Sequence, residues 1–195
     1  MSEPEIKYYL SGHKQSETYF SHDLYLHRDD GPASIWYYST SKVEQESYYH
    51  RGNRHRIGGP SCTHYFPNGV VESLQFFEND KRHREDGPAV VSYYQDGNVD
   101  VEKYYVKDEL HRVGGPAVVS YYNNGNLQTE KFYEEGYKHR ADGPADIRYF
   151  VNGGVSLFRF YKDGQKLDNA AFEGCVDSQG QILDIEAFQF IFNML

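Results

Sequence analysis

Residues 81–109 read KRHREDGPAVVSYYQDGNVDVEKYYVKDE, and the 28 residues from Leu110 onward read LHRVGGPAVVSYYNNGNLQTEKFYEEGY. Both segments contain a His-Arg, a Gly-Pro, two aromatic pairs and an Asp-Gly or Asn-Gly dipeptide in the same order. A segment that occurs twice in succession with fixed spacing indicates a tandem array. The fold of the whole chain therefore depends on how far this pattern extends.

The pattern extends over five copies with a period of 28 residues and no insertion. Gly-Pro recurs in step from Gly31-Pro32 to Gly143-Pro144, and the aromatic pairs recur up to Phe160-Tyr161. Fixed spacing of this kind is typical of repeat proteins whose units stack on one another. A His-Arg dipeptide opens each copy, at His27-Arg28, His55-Arg56, His83-Arg84, His111-Arg112 and His139-Arg140.

Each copy has the features of a β-hairpin. Copies two to five place PNGV, QDGN, NNGN or VNGG between the two aromatic pairs. Asn-Gly and Asp-Gly favour a two-residue turn in which both central residues have positive φ. The first copy has STSK at this place, for which a looser turn is expected. An aromatic content of 16% with 19 Tyr is also typical of β-structure.

Along the first strand of each hairpin, successive side chains alternate between the two faces of the sheet. One face carries a small residue, a β-branched residue and a Tyr, as in Ala33, Ile35 and Tyr37. This pattern predicts the core side of a sheet. The opposite face, which carries Trp36 and Tyr38, is more mixed. The second strand cannot be assigned to faces, because adjacent aromatics place one ring on each side.

The segment HRxDGP joins successive hairpins. Its Pro removes a strand hydrogen-bond donor and restricts φ where the next strand begins. Both Asp and Gly tolerate left-handed backbone better than most residues. The fourth position alternates between the two, so that a weaker 56-residue period overlies the shorter one, at Asp30, Gly58, Asp86, Gly114 and Asp142.

The chain divides into three parts. Residues 1–26 contain a partial repeat, residues 27–165 hold the five copies, and residues 166–195 form a C-terminal cap. Asp184 is a candidate helix N-cap. The sequence predicts a short amphipathic helix that folds back over the last strand, or that docks on a partner or a second copy of the chain. Its apolar face has helical spacing, with Ile185, Phe188, Phe192 and Leu195.

The segment ENDKRHREDGPAVVSYYQDGNVDVEKYYVKD resembles a MORN repeat, and in particular the longer variants with HRxDGPA loops. The resemblance covers residues 6–165, with a longer period than the standard motif. It implies an all-β fold, a single-layer twisted antiparallel meander of about five and a half hairpins. It also implies a scaffold or interaction module. Some members of the family are linked to anionic phospholipids, and some bacterial variants to antitoxin activity.

The net charge and the cysteine content limit the classes of function and the cellular location that the sequence allows. A formal net charge of -9 argues against a general nucleic-acid binder. Cys62 and Cys175 do not make a disulfide framework and fit a reducing compartment. The chain shows neither a signal peptide nor an apolar run of about 20 residues that could span a bilayer. An intracellular, cytoplasmic location is therefore expected, with a peripheral position at a membrane as the alternative.

The sequence predicts no metal, cofactor or catalytic centre. Equivalent His residues one hairpin apart should lie roughly 9 to 10 Å from each other, whereas zinc needs ligand atoms about 2.0 to 2.1 Å away. Neither Cys occurs in a recurring context, and no phosphate-binding glycine motif is present. These observations indicate a protein that is not an enzyme.

Two sets of side chains are candidate interaction surfaces. The five His-Arg dipeptides lie along one edge, where guanidinium groups suit carboxylates or phosphates. The alternative is internal, with each Arg bonded to an Asp or Glu of its own or an adjacent copy. The outer aromatics form either a packed second face or an exposed partner surface, at Tyr38, Phe66, Tyr94, Tyr122 and Phe150.

The sequence therefore predicts a non-enzymatic scaffold or adaptor that binds a protein partner along an extended β-surface. One alternative is a peripheral adaptor for anionic lipids or phosphoinositides. Another is an antitoxin-like binding protein. A homodimer is a further alternative for the partner.

Overall fold

The computed structural model describes residues 3–179 and 181–195. The chain forms two compact units built from the same repeated elements. One contains the residues up to Val99 together with Val106–Asp108, and the other contains Asp100–Tyr105 and Glu109–Leu195.

Twelve strands of four or five residues follow one another in chain order in an open antiparallel meander. The all-β architecture predicted from the sequence is confirmed. The strands are Glu5–Tyr8, Lys14–Thr18, Ser34–Tyr37, Val43–Ser47, Cys62–Tyr65, Val71–Gln75, Val90–Tyr93, Val99–Lys103, Val118–Tyr121, Leu127–Lys131, Asp146–Tyr149 and Val155–Arg159.

The turns of these hairpins differ from the predicted two-residue type. In the second copy the N–H of Phe66 donates to the carbonyl of Val70, and the N–H of Gly69 donates to the carbonyl of Phe66, both at 2.8 Å. Gly69 has a φ of 91°, while Asn68 keeps a negative φ. The loop is therefore a type I turn followed by a left-handed glycine. The Asn68 side chain accepts from the N–H of Val70 at 3.0 Å, which explains the preference for Asn before Gly.

The first copy makes the same loop with Ser41 at the glycine position. The N–H of Tyr38 donates to the carbonyl of Lys42 at 2.8 Å, and Ser41 has a φ of 66°. The expectation of a looser turn is wrong, because the backbone bonds are retained. Instead, a residue with a Cβ is held in the left-handed region, at a cost of roughly 1 kcal/mol.

Ser41→Gly should raise the free energy of unfolding by about 0.5 kcal/mol, because relief of the left-handed strain exceeds the entropy that glycine adds to the unfolded chain. Urea unfolding measures the change. The reciprocal variant Gly125→Ser is the control, since Gly125 has a φ of 84° and open space around it. It should lose a similar amount, and stability changes of the same sign in the two variants would contradict the explanation.

Each copy also contains a second, shorter hairpin that the sequence pattern does not reveal. Its two-residue strands flank two turn residues that both have positive φ, from Arg51-Gly52 in the first copy to Asp163-Gly164 in the fifth. The strand pairs are Tyr49–His50 with Asn53–Arg54, Phe77–Glu78 with Lys81–Arg82, Tyr105–Val106 with Glu109–Leu110, Tyr133–Glu134 with Tyr137–Lys138, and Tyr161–Lys162 with Gln165–Lys166.

The short hairpins are hydrogen bonded to the preceding copy through their turns. The N–H of Gly52 donates to the carbonyl of Leu26 at 2.9 Å, and the N–H of Asp80 donates to that of Arg54 at 3.1 Å. The Asp80 carboxylate also accepts from Nε of Arg54 at 3.1 Å. At Gly52, a Cβ would lie only 3.3 Å from the ring of Tyr25. The charge or the size of each turn residue therefore suits the side chain that it meets in the preceding copy.

The inner face of the sheet forms the core of the array. The small residue of the first strand is fully buried in every copy, and Val91, Val119 and Ile147 are buried two residues further on. Tyr at the next inward position is half-buried. The predicted core stripe is confirmed. Cys62 is buried on the opposite face, where burial raises the pKa of its thiol. The buried small residues are Ala33, Ser61, Ala89, Ala117 and Ala145.

The C-terminal tail packs on the last copy. Leu167 takes the place of a His, and its N–H donates to the carbonyl of Phe160 at 3.0 Å. A 3-10 helix, Asn169–Phe172, and an α-helix, Ile185–Met194, follow. Their aromatic side chains close over Phe160 in a buried cluster that also contains Phe172, Cys175, Phe188 and Phe192. The predicted capping helix is confirmed.

The predicted apolar face of this helix is only half correct. Asp184 caps it, accepting from the N–H of Ala187 at 2.9 Å, and Phe188 and Phe192 are buried. Ile185 and Leu195, however, are 65% and 54% exposed. Ile185 is the first residue of the helix and Leu195 follows its last, so both lie outside the stretch from Phe188 to Phe192 that packs in the cluster. None of the described helices is long and apolar enough to cross a bilayer.

Candidate functional site

The five loop arginines lie against aromatic rings of the preceding copy. The guanidinium carbon is 3.8 to 4.2 Å from the ring centroid in each case. Such a contact contributes about 0.5 to 2 kcal/mol. At every copy the guanidinium thus has a partner within the array. The pairs are Arg28 with Tyr19, Arg56 with Tyr48, Arg84 with Phe76, Arg112 with Tyr104, and Arg140 with Phe132.

The second contact of each arginine depends on whether its loop contains Asp or Gly. Nε of Arg28, Arg84 and Arg140 donates to the Asp two residues later at 2.8 to 3.0 Å. The bond from Arg28 lowers the pKa of Asp30, and that from Arg84 lowers the pKa of Asp86.

In the two Gly-Gly loops the arginine uses a carbonyl instead. Nη1 of Arg56 donates to the carbonyl of Pro60 at 3.3 Å, and that of Arg112 donates to Pro116 at 3.2 Å. An interpretation in which these arginines bond to Asp residues of neighbouring copies is wrong, because each of those Asp residues is bonded to the Arg of its own loop.

The glycine before each loop proline makes room for the stacked guanidinium. A Cβ added at this position would lie 3.1 to 3.2 Å from the guanidinium carbon in all five copies. That separation is shorter than most normal contacts, so a side chain here would force the guanidinium to shift by a few tenths of an ångström. The glycines are Gly31, Gly59, Gly87, Gly115 and Gly143.

The loop histidines contact the short hairpins. Nδ1 of His111 accepts from the N–H of Glu135 at 3.3 Å, and Nδ1 of His139 accepts from that of Asp163 at 3.2 Å. In these last two copies the imidazole thus joins a loop to the turn of the short hairpin in the same copy, whereas Nδ1 of His27, His55 and His83 is buried without a hydrogen-bond partner among the described residues. Within residues 3–179 and 181–195, no group of three His, Cys, Asp or Glu side chains is arranged to hold a metal ion.

The outer aromatics link neighbouring copies. The hydroxyl of Tyr38 donates to the carbonyl of Tyr65 at 2.7 Å, and that of Tyr122 donates to the carbonyl of Tyr149 at 2.8 Å. Phe150, in the last copy, is 57% exposed. The other four, Tyr38, Phe66, Tyr94 and Tyr122, are half-buried.

Tyr–Glu hydrogen bonds on the inner face were not expected from the sequence. The first Tyr of the pair donates its hydroxyl to a Glu on the second strand of the preceding copy or partial repeat. Burial, together with the nearby Glu, raises the pKa of Tyr37, Tyr65 and Tyr121 to about 12. The recurrence of Glu at one repeat position was the available signal. The bonds join Tyr37 to Glu17, Tyr65 to Glu46, Tyr121 to Glu102, and Tyr149 to Glu130.

These raised pKa values predict a loss of stability between about pH 10 and 12. The protonated hydroxyl stabilises the fold fully below the unfolded pKa of about 10, and this contribution disappears as the pH rises through the folded value. The ultraviolet absorbance of tyrosinate measures the titration. Glu102→Gln removes the charge beside Tyr121 and should move part of the absorbance change to lower pH. An unaltered titration in that variant would contradict the assignment.

The outer face of the second unit carries a row of cations. The cross-strand register joins Lys103 to Val118, Val118 to Lys131, Lys131 to Asp146, and Asp146 to Arg159. The row therefore crosses five neighbouring strands. We call Lys103, Lys131 and Arg159 the cationic row.

Polar side chains surround the cationic row. Arg148 lies opposite Thr129 in the adjacent row of the sheet. An open cleft is lined in part by Lys103, Lys131, Arg148, Ser120 and Thr129. The hydroxyls of Ser120 and Thr129 are 2.7 Å apart and form a polar floor.

Asp146 lies between Lys131 and Arg159 in the cross-strand register, but it forms an ion pair with Lys138, which is not part of the cationic row. Its side chain is only 2% exposed, and its Oδ2 accepts from Nζ of Lys138 at 2.9 Å. Lys138 reaches it from a short hairpin. The three members of the cationic row make no ion pair with any residue that the structure describes.

The fold does not require a cation at this repeat position. Ser47 and Gln75 occupy it in the first two copies, and Lys103, Lys131 and Arg159 occupy it in the last three. The column was visible in the sequence. It could not be interpreted there, because the aromatic pairs left the faces of the second strand unassigned.

The comparison with known families agrees with this architecture. Residues 61–79 and 117–135 match the family model of the MORN repeat variant. Each match lies in one copy and contains both long strands with the turn between them. The long hairpins of the second and fourth copies therefore match the MORN repeat variant. A search of curated proteins finds no match to the chain.

Proposed function

We propose that the protein is a non-enzymatic scaffold that binds a protein partner on the outer face of the second unit. The observation that carries this proposal is the open cleft beside Arg148, where Arg148, Lys131 and Thr129 lie exposed or half-buried on regular strands. Exposed Phe150 lies two residues further along the same strand segment. Surfaces that combine aromatic and Arg side chains on a rigid framework are typical of protein interfaces.

The loop edge is less suited to this role. Its arginines stack on rings and bond to Asp or Pro groups of their own loops, with side chains in the Asp-containing loops only 23 to 29% exposed. Binding an external anion there would compete with these internal bonds. The anionic-lipid alternative, which relies on this edge, therefore has less support from the geometry.

Affinity capture from the native cell tests the proposal with two matched baits. Arg148→Ser with Phe150→Ser alters the outer face, and Ser already occupies the Arg148 position at Ser92 and Ser120. Ile57→Ser with Val113→Ser alters two loop residues that are 90% and 88% exposed. A partner should be retained by the parent and the loop variant and lost by the outer-face variant.

Two outcomes would contradict the proposal. Loss of the partner only in the loop variant would assign binding to the loop edge. Failure of the parent to retain any protein, combined with sedimentation on anionic but not neutral liposomes, would favour the lipid adaptor.

A further inference from the structure

We propose that the cationic row binds an acidic, extended segment of a partner protein that lies across the strands. Carboxylates of this segment contact Lys103, Lys131 and Arg159. The inference rests on the proposed scaffold function and names the chemistry of its partner.

The first argument is the absence of internal compensation. The three cations are half-buried and make no ion pair with the described residues, in a chain whose formal net charge is -9. The only carboxylate in their register belongs to Asp146, which accepts from Lys138 instead. Since Ser47 and Gln75 serve equally well in the first two copies, these charges have no role in building the sheet. These cations are therefore available to carboxylates from outside the chain.

The second argument is length. Four strand-to-strand steps separate Lys103 from Arg159, which at about 4.8 Å each amounts to about 19 Å. A single phosphate or carboxylate is too small to contact all three cations. An extended peptide of about six or seven residues has this length, since each residue advances about 3.3 Å.

The third argument is spacing. Neighbouring cations of the row are two strands apart, or about 10 Å. In the polyproline II conformation, which has three residues per turn and a rise of about 3.1 Å, every third side chain lies on the same face, about 9 Å from the next. The geometry therefore favours a segment in which Asp or Glu occurs at every third position.

The overall charge favours a short acidic segment over a nucleic acid or a membrane. A long polyanion or an anionic bilayer would extend over the rest of an acidic protein and be repelled by it. A seven-residue peptide confines its charge to within about one screening length of the cationic row.

Two labelled peptides of equal composition test the inference with the full-length protein. Glu-Thr-Thr-Glu-Thr-Thr-Glu has the predicted spacing, and Glu-Glu-Glu-Thr-Thr-Thr-Thr does not. Fluorescence anisotropy should show tighter binding of the spaced peptide, weakening as salt is added. The variant Lys103→Gln, Lys131→Gln, Arg159→Gln should bind it about tenfold more weakly. Gln75 already occupies the same repeat position, so this variant is expected to fold.

A control variant changes three exposed lysines elsewhere, Lys7→Gln, Lys81→Gln and Lys166→Gln, and should keep the parent affinity. Equal binding by the two triple variants, equal affinity for the two peptides, or no binding to the parent would overturn the inference. The inference would also be overturned if anionic vesicles or a single-stranded oligonucleotide displaced the labelled peptide at a lower concentration of negative charge than the unlabelled peptide needs. Affinity capture separates this inference from the scaffold function. If a partner is lost by the Arg148/Phe150 variant but kept by the triple Gln variant, the scaffold function stands and only the proposal of an acidic binding segment is refuted.

Discussion

Phe188→Ala is expected to lower the free energy of unfolding by about 3 to 5 kcal/mol, the range for removing a fully buried aromatic side chain. Its ring centroid lies 5.3 Å from that of Phe160 and 4.9 Å from that of Phe172. Loss of the ring would leave a cavity between the last copy and the tail. Urea unfolding followed by circular dichroism measures the change.

Phe190→Ala is the matched control for this prediction. It makes the same substitution two residues away in the same helix, but Phe190 is 67% exposed. We expect a change within about 0.5 kcal/mol. Comparable losses in the two variants would mean that the helix does not cap the array through the face that carries Phe188.

Lys138→Leu is expected to cost about 3 to 5 kcal/mol, because it leaves the buried carboxylate of Asp146 without its cation. The other oxygen of this carboxylate, Oδ1, is buried and has no hydrogen-bond partner in the structure. Arg148 is the nearest remaining cation, with its Nε 4.0 Å away. Thermal or urea unfolding at neutral pH measures the loss.

The double variant Lys138→Leu, Asp146→Val separates the buried charge from simple packing. Leu110 and Val118 hold the equivalent positions in the preceding copy, so the fold already accommodates an apolar pair there. Replacing both partners of a buried ion pair by apolar residues is often neutral or stabilising. We expect the double variant to recover most of the lost stability. A double variant as unstable as Lys138→Leu alone would show that the penalty does not come from the unpaired carboxylate.

The meander could be predicted from the sequence because its evidence is local and occurs five times. Asn-Gly or Asp-Gly between aromatic pairs marks a turn in each of four copies, and a buried small residue such as Ala89 begins each inner stripe. The short hairpins could not be predicted in the same way. A strand of two residues, such as Tyr49–His50, is too short to show alternation.

The candidate site was less predictable, because it depends on which distant groups meet. Arg56 and Arg84 have the same place in the repeat, yet one bonds to a proline carbonyl and the other to an Asp. Both stack on a ring that lies eight residues earlier in the chain. The cationic row likewise appears only when the cross-strand register joins Lys103, Val118 and Lys131.

The matched junctions of the short hairpins mean that the copies are not interchangeable parts. Arg54 and Arg82 each meet an Asp in the next copy, at 3.1 and 2.8 Å, whereas Tyr137 meets Gly164, where a Cβ would lie only 3.1 Å from the tyrosine ring. Exchanging the first two copies would bring Asp80 against the ring of Tyr25 and leave Arg82 facing Gly52. Duplication of residues 27–54 would place Gly52 against Arg54, a mismatched junction, whereas duplication of residues 55–82 would place Asp80 against Arg82 and keep the pairing. The boundaries therefore limit which copies can be neighbours, and growth of the array by duplication of residues 27–54 requires compensating substitutions there.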